Sequence, residues 1–189
     1  MAKKVVKTTS LDQIESALST ELTAFVSAFR AKHDEEIYGV LIEISREGFS
    51  AHGSIATEEG LTRFANECLG SYKGDLSAAK KDLRWAGPEN GWYQSDDKAF
   101  RTTNAELSIA QKSKLYDYFD RTLTALCLKT LKSLDENGLF GTGVSRAKMV
   151  IGICYVGGDN SDEEFLGWAK QVNPKSVYTR LSKELAHKA

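Results

Sequence analysis

The sequence predicts an α+β fold, with a small, mostly antiparallel sheet packed by several helices, in one globular domain over residues 1–189. Three observations carry that prediction. Apolar residues recur at three- and four-residue spacing in several long stretches, the first running from Leu11 to Phe29. Between residues 37 and 55 the spacing changes to every second residue, broken once by Arg46-Glu47-Gly48, which is a hairpin pattern. The resulting order, α-β-β-α, an irregular stretch, then α-β-α-α, lacks the regular strand–helix alternation of a doubly wound sheet.

Ser10 followed by Gln13 reads as a capping box, and behind it Ile14, Leu18, Leu22, Phe25 and Phe29 mark a helix of about six turns ending near His33. In the first strand, Tyr38, Val40, Ile42 and Ile44 are expected on one face, Ile37 and Leu41 on the other, and Glu43 toward solvent. Phe49, Ala51, Gly53 and Ile55 alternate along the second strand. Thr57 is placed to cap a second helix whose Leu61, Phe64, Ala65, Cys68 and Leu69 face inward. Residues 70–104 are the least regular and are rich in aromatics. They contain a short helix near Leu76–Asp82, strand-like Leu83-Arg84-Trp85, the turn Gly87-Pro88-Glu89-Asn90-Gly91, and a short strand at Trp92-Tyr93. A long helix is expected near 109–136 from Leu115, Phe119, Leu123, Leu126 and Leu131, stopped by Asn137-Gly138. Met149 to Val156 is almost continuously apolar, as in a central strand covered on both faces. Ser161 with Glu164 forms another capping box, and Asn173-Pro174 supplies the N-cap and first position of a final helix carrying Val177, Leu181 and Leu185.

Composition bounds the function. A chain of 189 residues buries enough surface to need no disulfide or metal staple. A formal charge of −1 argues against a dedicated nucleic-acid binder, which requires a concentrated positive field. Cys68, Cys127 and Cys154 are odd in number and lie in apolar stripes, so each is expected as a free, buried small hydrophobe in a reducing compartment. The basic start Met1-Ala2-Lys3-Lys4 is not followed by an apolar run, and no stretch is long and apolar enough to span a bilayer, so the expected location is cytoplasmic.

Two clusters stand out as candidates. At the end of the first helix, His33-Asp34-Glu35-Glu36 sets three acids beside a histidine, either a contact for a basic partner or, with His52, an acid/base or metal-binding group. In the irregular stretch, Arg84, Trp85, Trp92 and Tyr93 are the residue types that dominate interface hot spots, and equally those of a satellite core. Gly138-Leu139-Phe140-Gly141-Thr142-Gly143 lacks the Gly-Lys-Ser/Thr ending of a phosphate loop and follows a helix, so it reads as a turn. Asp159 to Glu164 lacks the spacing of a calcium loop and reads as a helix cap.

The chain also resembles the bacterial domain-of-unknown-function 4303 family. The resemblance lies in Ala24-Phe25, His33-Asp34-Glu35-Glu36-Ile37-Tyr38, Thr57-Glu58-Glu59, Leu83-Arg84-Trp85, Trp92-Tyr93 and Asn173-Pro174, in that order over most of the length. It implies no particular activity and transfers no catalytic residue. It does imply the company of small bacterial domains that resemble immunity proteins of toxin systems.

The expected function is therefore a non-catalytic protein-binding module, immunity-like, that masks a basic or toxin-like partner through Asp34, Glu35, Glu36, Arg84, Trp85, Trp92 and Tyr93. It is expected to use no cofactor, no metal, no nucleic acid and no membrane. The rival expectation is a small hydrolase or metal-dependent enzyme built on His33, Asp34 and Glu35 with His52.

Overall fold

The computed structural model describes residues 8–88, 90–115, 121–156 and 161–186. It contains α1 (Leu11–Lys32), β1 (Ile37–Ile44), β2 (Ala51–Thr57), α2 (Glu58–Glu67), a 3-10 turn (Leu69–Tyr72), α3 (Leu76–Leu83), β3 (Tyr93–Gln94), α4 (Arg101–Ser113), α5 (Thr122–Glu136), α6 (Gly143–Lys148), β4 (Val150–Tyr155), α7 (Asp162–Val172) and α8 (Lys175–Ala186). The fold is α+β, with one four-stranded sheet in the order β3-β2-β1-β4. β1 pairs antiparallel with β2 and parallel with β4, and β2 pairs antiparallel with β3, so the sheet is mixed and not mostly antiparallel. Among the described residues no helix is long and apolar enough to cross a membrane.

β1 is the hub, buried along its whole length. Its pairing with β2 slips once: Ile37 faces Thr57 but Gly39 faces Ala56, leaving Tyr38 as an extra residue in a β-bulge. The bulge reverses the expected phase at the start of the strand. Ile37 joins Val40, Ile42 and Ile44 on one face, while Tyr38 joins Leu41 on the other. Glu43 does not face solvent. It is 5% exposed and accepts a hydrogen bond from the Ser54 hydroxyl across the hairpin, because helices cover both faces of this sheet.

The first face packs against α1, α4 and α5. Ile14, Leu18, Leu22, Val26 and Phe29 of α1 meet Val40, Ile42, Ile55 and Ile151 of the sheet, with Leu107 and Leu131 closing the layer. Phe25 lies so close over β2 that a Cβ on Gly53 would sit 2.7 Å from its ring, which explains the glycine in the middle of that strand. The second face packs against α2, α7 and α8 through Leu61, Phe165, Ala169, Val177, Leu181 and Leu185. Cys127 and Cys154 are buried thiols outside any disulfide, as expected, whereas Cys68, also outside any disulfide, is only half-buried.

The helix expected over 109–136 is two helices. Lys114 takes a left-handed conformation (φ +52°) and closes α4, with Leu115 donating its amide to the Ala110 carbonyl, and α5 starts at Thr122. Leu115 is 40% exposed, and Phe119 lies outside the described residues. Leu83-Arg84-Trp85 is not strand-like either, for it ends α3 and turns away from it. Thr57 and Ser161 cap α2 and α7 as their sequence patterns predict, the second as a full capping box. Asp159 and Asn160 lie outside the described residues.

β4 is an edge strand, not a central one, although both its faces are covered. Its outer rim is met at Ile151 by a side chain. The Asn173 carboxamide accepts from the Ile151 amide (2.9 Å) and donates to the Ile151 carbonyl (2.6 Å), as a neighbouring strand would. Asn173 therefore ends α7 and clamps β4, and does not cap α8, which starts at Lys175. Arg146, 7% exposed, braces the same corner by donating to Asp135 (2.5 Å), the Met149 carbonyl (2.6 Å) and the Asn173 side chain (3.3 Å). On the opposite side of the sheet, beyond the two residues of β3, the Ala51 amide donates to Asn104 Oδ1 (2.7 Å).

Replacing Asn173 with alanine removes both strand-like bonds and a third to the Ala169 carbonyl. It is expected to lower stability by about 2–4 kcal/mol in urea denaturation, since partly buried backbone groups lose their partners. A loss below about 0.5 kcal/mol would show that the clamp contributes nothing.

Candidate functional site

The hairpin register creates the first candidate region. Ile37 stands opposite Thr57, so the residues just before β1 lie beside the start of α2. Glu35 is therefore held within reach of three donors. Its carboxylate accepts from Thr57 Oγ1 (2.6 Å), from the Tyr93 hydroxyl (2.7 Å) and from Arg63 Nη1 (3.0 Å). Arg63 also donates to the Tyr93 hydroxyl (2.6 Å), and its guanidinium lies 5.5 Å from the centre of the Tyr93 ring. Desolvation pushes the Glu35 carboxyl upward, but the hydrogen bonds from Thr57, Tyr93 and Arg63 outweigh it and hold the group below the usual glutamate range. Burial and donation to Glu35 push the Tyr93 hydroxyl up, and the bond to Glu35 raises Arg63. The set is closed at neutral pH as carboxylate, guanidinium and neutral phenol.

Tyr93 also forms one wall of a hollow of about 490 Å³ between α1 and the chain leading into α4. His33 stacks on Phe29 with ring centres 4.6 Å apart, and Tyr93 meets both rings, at 4.8 Å from His33 and 4.9 Å from Phe29. The alanines at 24, 28 and 99 form its floor. Three of the polar groups around this hollow, Glu21, Ser95 and Asp96, are bonded inward, to the fold, while Lys32, His33 and Gln94 also line it. Glu21 accepts from the first amides of α4, those of Thr102 (2.8 Å) and Thr103 (2.9 Å). Asp96 accepts from the amides of Lys98 (3.0 Å) and Ala99 (2.9 Å), and Ser95 Oγ accepts from the Gly53 amide (3.0 Å). Ring and methyl surface lies between these groups.

A second region lies on the other side of the sheet. Arg84 donates through both terminal nitrogens to Glu58, sits 4.3 Å over the Tyr38 ring, and accepts the Tyr38 hydroxyl at its own carbonyl (2.8 Å). Burial pushes the Tyr38 hydroxyl well above the usual tyrosine range, so it stays a neutral phenol able to donate to the Arg84 carbonyl. Trp85 donates its indole N–H to Glu184 (2.8 Å) and packs edge-on against Tyr38 (5.2 Å) and Trp92 (5.9 Å). A groove of about 590 Å³ opens above this network, between α2, α3 and α8.

The residues singled out in the sequence are thus divided between two places. Tyr93 meets His33 at the hollow and is held there by Glu35, whereas Arg84, Trp85 and Trp92 belong to the aromatic cluster under the groove. Trp92 is 9% exposed and packs as core, and Trp85 is half-buried. Asp34 is exposed, and Glu36 pairs at the surface with Lys148 (2.7 Å). His52 pairs across the hairpin with Glu43, at the end of β1 remote from His33, so the two histidines do not converge. Among the described residues no three His, Cys, Asp or Glu side chains gather as a metal-ligand group. Burial pushes the Cys127 thiol up to about 12, which makes it a poor nucleophile. Arg63 and Glu184 were not visible as site residues, because each acts on a partner at least 28 positions away.

A family model described as Domain of unknown function (DUF4303) matches residues 16–174, which include the hollow and the α2 and α3 walls of the groove but not α8. No curated protein and no solved structure matches the chain.

The Glu35 set has a pH signature. A carboxyl held below its unfolded value adds stability that is complete above the ordinary glutamate pKa and is lost as pH falls through the folded one. The stability gap between the wild type and Glu35→Gln is therefore expected to be on the order of 1 kcal/mol near about pH 6 and to narrow toward about pH 3. Urea midpoints across that range measure it, and a gap that does not vary with pH would rule out a charged Glu35 as the anchor.

Proposed function

The chain belongs to the DUF4303 family, and we propose that it is a non-catalytic protein-binding module whose anchor socket is the hollow between His33, Phe29 and Tyr93. The observation that carries this reading is the mutual packing of the His33, Phe29 and Tyr93 rings at its wall. With Glu21, Ser95 and Asp96 bonded back into the fold and Tyr93 fixed by Glu35 and Arg63, the hollow offers ring and methyl surface rimmed by Lys32 and Gln94. Such a socket suits a partner's aliphatic or aromatic side chain, because a buried anchor in a preformed apolar pocket carries most of an interface's energy.

The chemistry of the titratable groups supports binding over turnover. Glu35 is held in its charged form by three donors, which suits an anchor and not a proton donor at neutral pH. The two histidines of the hydrolase reading sit at opposite ends of the hairpin. Pairing of Glu35 with Arg63 and of Glu36 with Lys148 also reduces the acidic face available to steer a basic partner, leaving Asp34 as the exposed acid of that segment. In its specific form the reading is a cytoplasmic, immunity-like module that covers the working surface of another bacterial protein.

Ala28 is exposed on the floor of the hollow, so Ala28→Arg fills the socket without touching the core. In a pull-down from the native host, recovery of the partner is expected to fall about tenfold or more with this variant, given anchor energies of at least ~2 kcal/mol. Lys132→Glu, exposed on α5, is expected to leave recovery unchanged, with the melting temperature of both variants near that of the wild type. Undiminished recovery with Ala28→Arg would rule the socket out.

A further inference from the structure

The groove between α2, α3 and α8 has a charge balance unlike that of the chain. Its lining holds five basic side chains, Lys80, Lys81, Arg84, Arg180 and Lys183, against two acidic ones, in a protein whose formal charge is −1. Both acids are already satisfied. Glu58 takes Arg84 and Lys80, the latter at 3.6 Å, and Glu184 takes the Trp85 indole at 2.8 Å and Arg180 at 3.6 Å. The uncompensated charge rests on Lys81 and Lys183, both exposed, one on each wall, and neither has a carboxylate partner among the described residues.

The arginines do not form an anion clamp. Arg180 spends its terminal nitrogens on the carbonyls of Ala147 and Lys148, both at 2.7 Å, and Arg84 spends its own on Glu58. A phosphate site needs donors that converge on one point. Here the free ammonium groups stand on opposite rims, with Leu61 and the stems of the long side chains between them. A floor of Leu61 and side-chain stems, helical walls and cationic edges are the complement of an amphipathic helix whose apolar stripe is flanked by carboxylates. The Glu58–Arg84–Glu184 network ties α2, α3 and α8 together beneath the groove, so its walls are set before anything binds.

We propose that this groove is a second docking surface, one that takes an acidic amphipathic helix of a partner protein. It extends the binding-module reading but uses none of the residues of the hollow, so the two stand or fall separately.

The probe is a fluorescently labelled peptide with leucines at i, i+3 and i+4 spacing and glutamates and aspartates elsewhere, read by anisotropy against the full chain. The acidic peptide is expected to bind, and more weakly as salt rises through the range where screening acts. A peptide of the same leucine pattern with lysines in place of the acids is expected not to bind. The double variant Lys81→Glu/Lys183→Glu is expected to weaken the acidic peptide at least about tenfold while its circular dichroism and melting temperature stay those of the wild type. Ala28→Arg is expected to bind it as the wild type does. Absence of binding, equal binding of the two peptides, or indifference to the double variant would each overturn the proposal. So would loss of binding in Ala28→Arg, or displacement of the peptide by inorganic triphosphate at lower concentration than by unlabelled peptide, which would make the groove a phosphate site.

Discussion

Tyr38 has no opposite residue on β2, and the arrangement of everything packed on the sheet depends on that mismatch. The extra residue lets Ile37 and Val40 enter the same core while Tyr38 turns to the other. Gly39 beside it leaves room for Trp85, since a Cβ there would already stand 3.3 Å from the indole ring. Once Tyr38 faces that side, it becomes the post around which Trp85, Trp92 and Arg84 assemble. The same slip aligns the chain before β1 with Thr57, and so brings Glu35 to the cap of α2. Both candidate surfaces therefore descend from one irregularity in one strand.

The ion pairs that matter most to the two surfaces link separate elements. Glu35 with Arg63, Glu58 with Arg84, and Asp135 with Arg146 each join elements distant in sequence. Such partly covered pairs are modest contributors to net stability, because desolvation offsets much of their attraction. Their effect here is geometric. They fix the orientation of Tyr93 and the spacing of α2, α3 and α8, and so define the walls of the hollow and of the groove. A surface whose polar groups are already committed presents shape and residual charge to a partner, with little reorganisation left to do on contact.

Much of this was legible in the sequence, where local chemistry decides. The helical spacing from Ile14 to Phe29, the hairpin, and the caps at Ser10, Thr57 and Ser161 follow from periodicity and from side chains that satisfy their own backbone. The misses occur where a distant partner decides. Apolar spacing continues from Leu107 through Leu115 to Leu123, so it cannot reveal that Lys114 turns left-handed and ends α4. A strand covered on both faces reads as central, and Asn173, whose carboxamide takes the place of a neighbouring strand at Ile151, lies 22 positions away. Glu43 looked like a solvent-facing residue because Ser54 and the covering helices are not visible from β1 alone. Of the site, the helix–strand junction and the aromatics were identified, but not that they serve two separate places. That division depends on which face of the sheet each side chain reaches, and the bulge conceals it.

The two asparagine amides at the margins of the sheet carry a further implication. Asn173 holds the outer amide and carbonyl of Ile151 on β4 and Asn104 takes the Ala51 amide beyond the short β3, so each side of the sheet has one position already bonded to a carboxamide from a neighbouring helical region. An open strand border is a template for pairing with another copy, and proteins that leave one bare are prone to swap segments or to form fibres. A strand arriving at Ile151 or Ala51 would first have to displace a side chain.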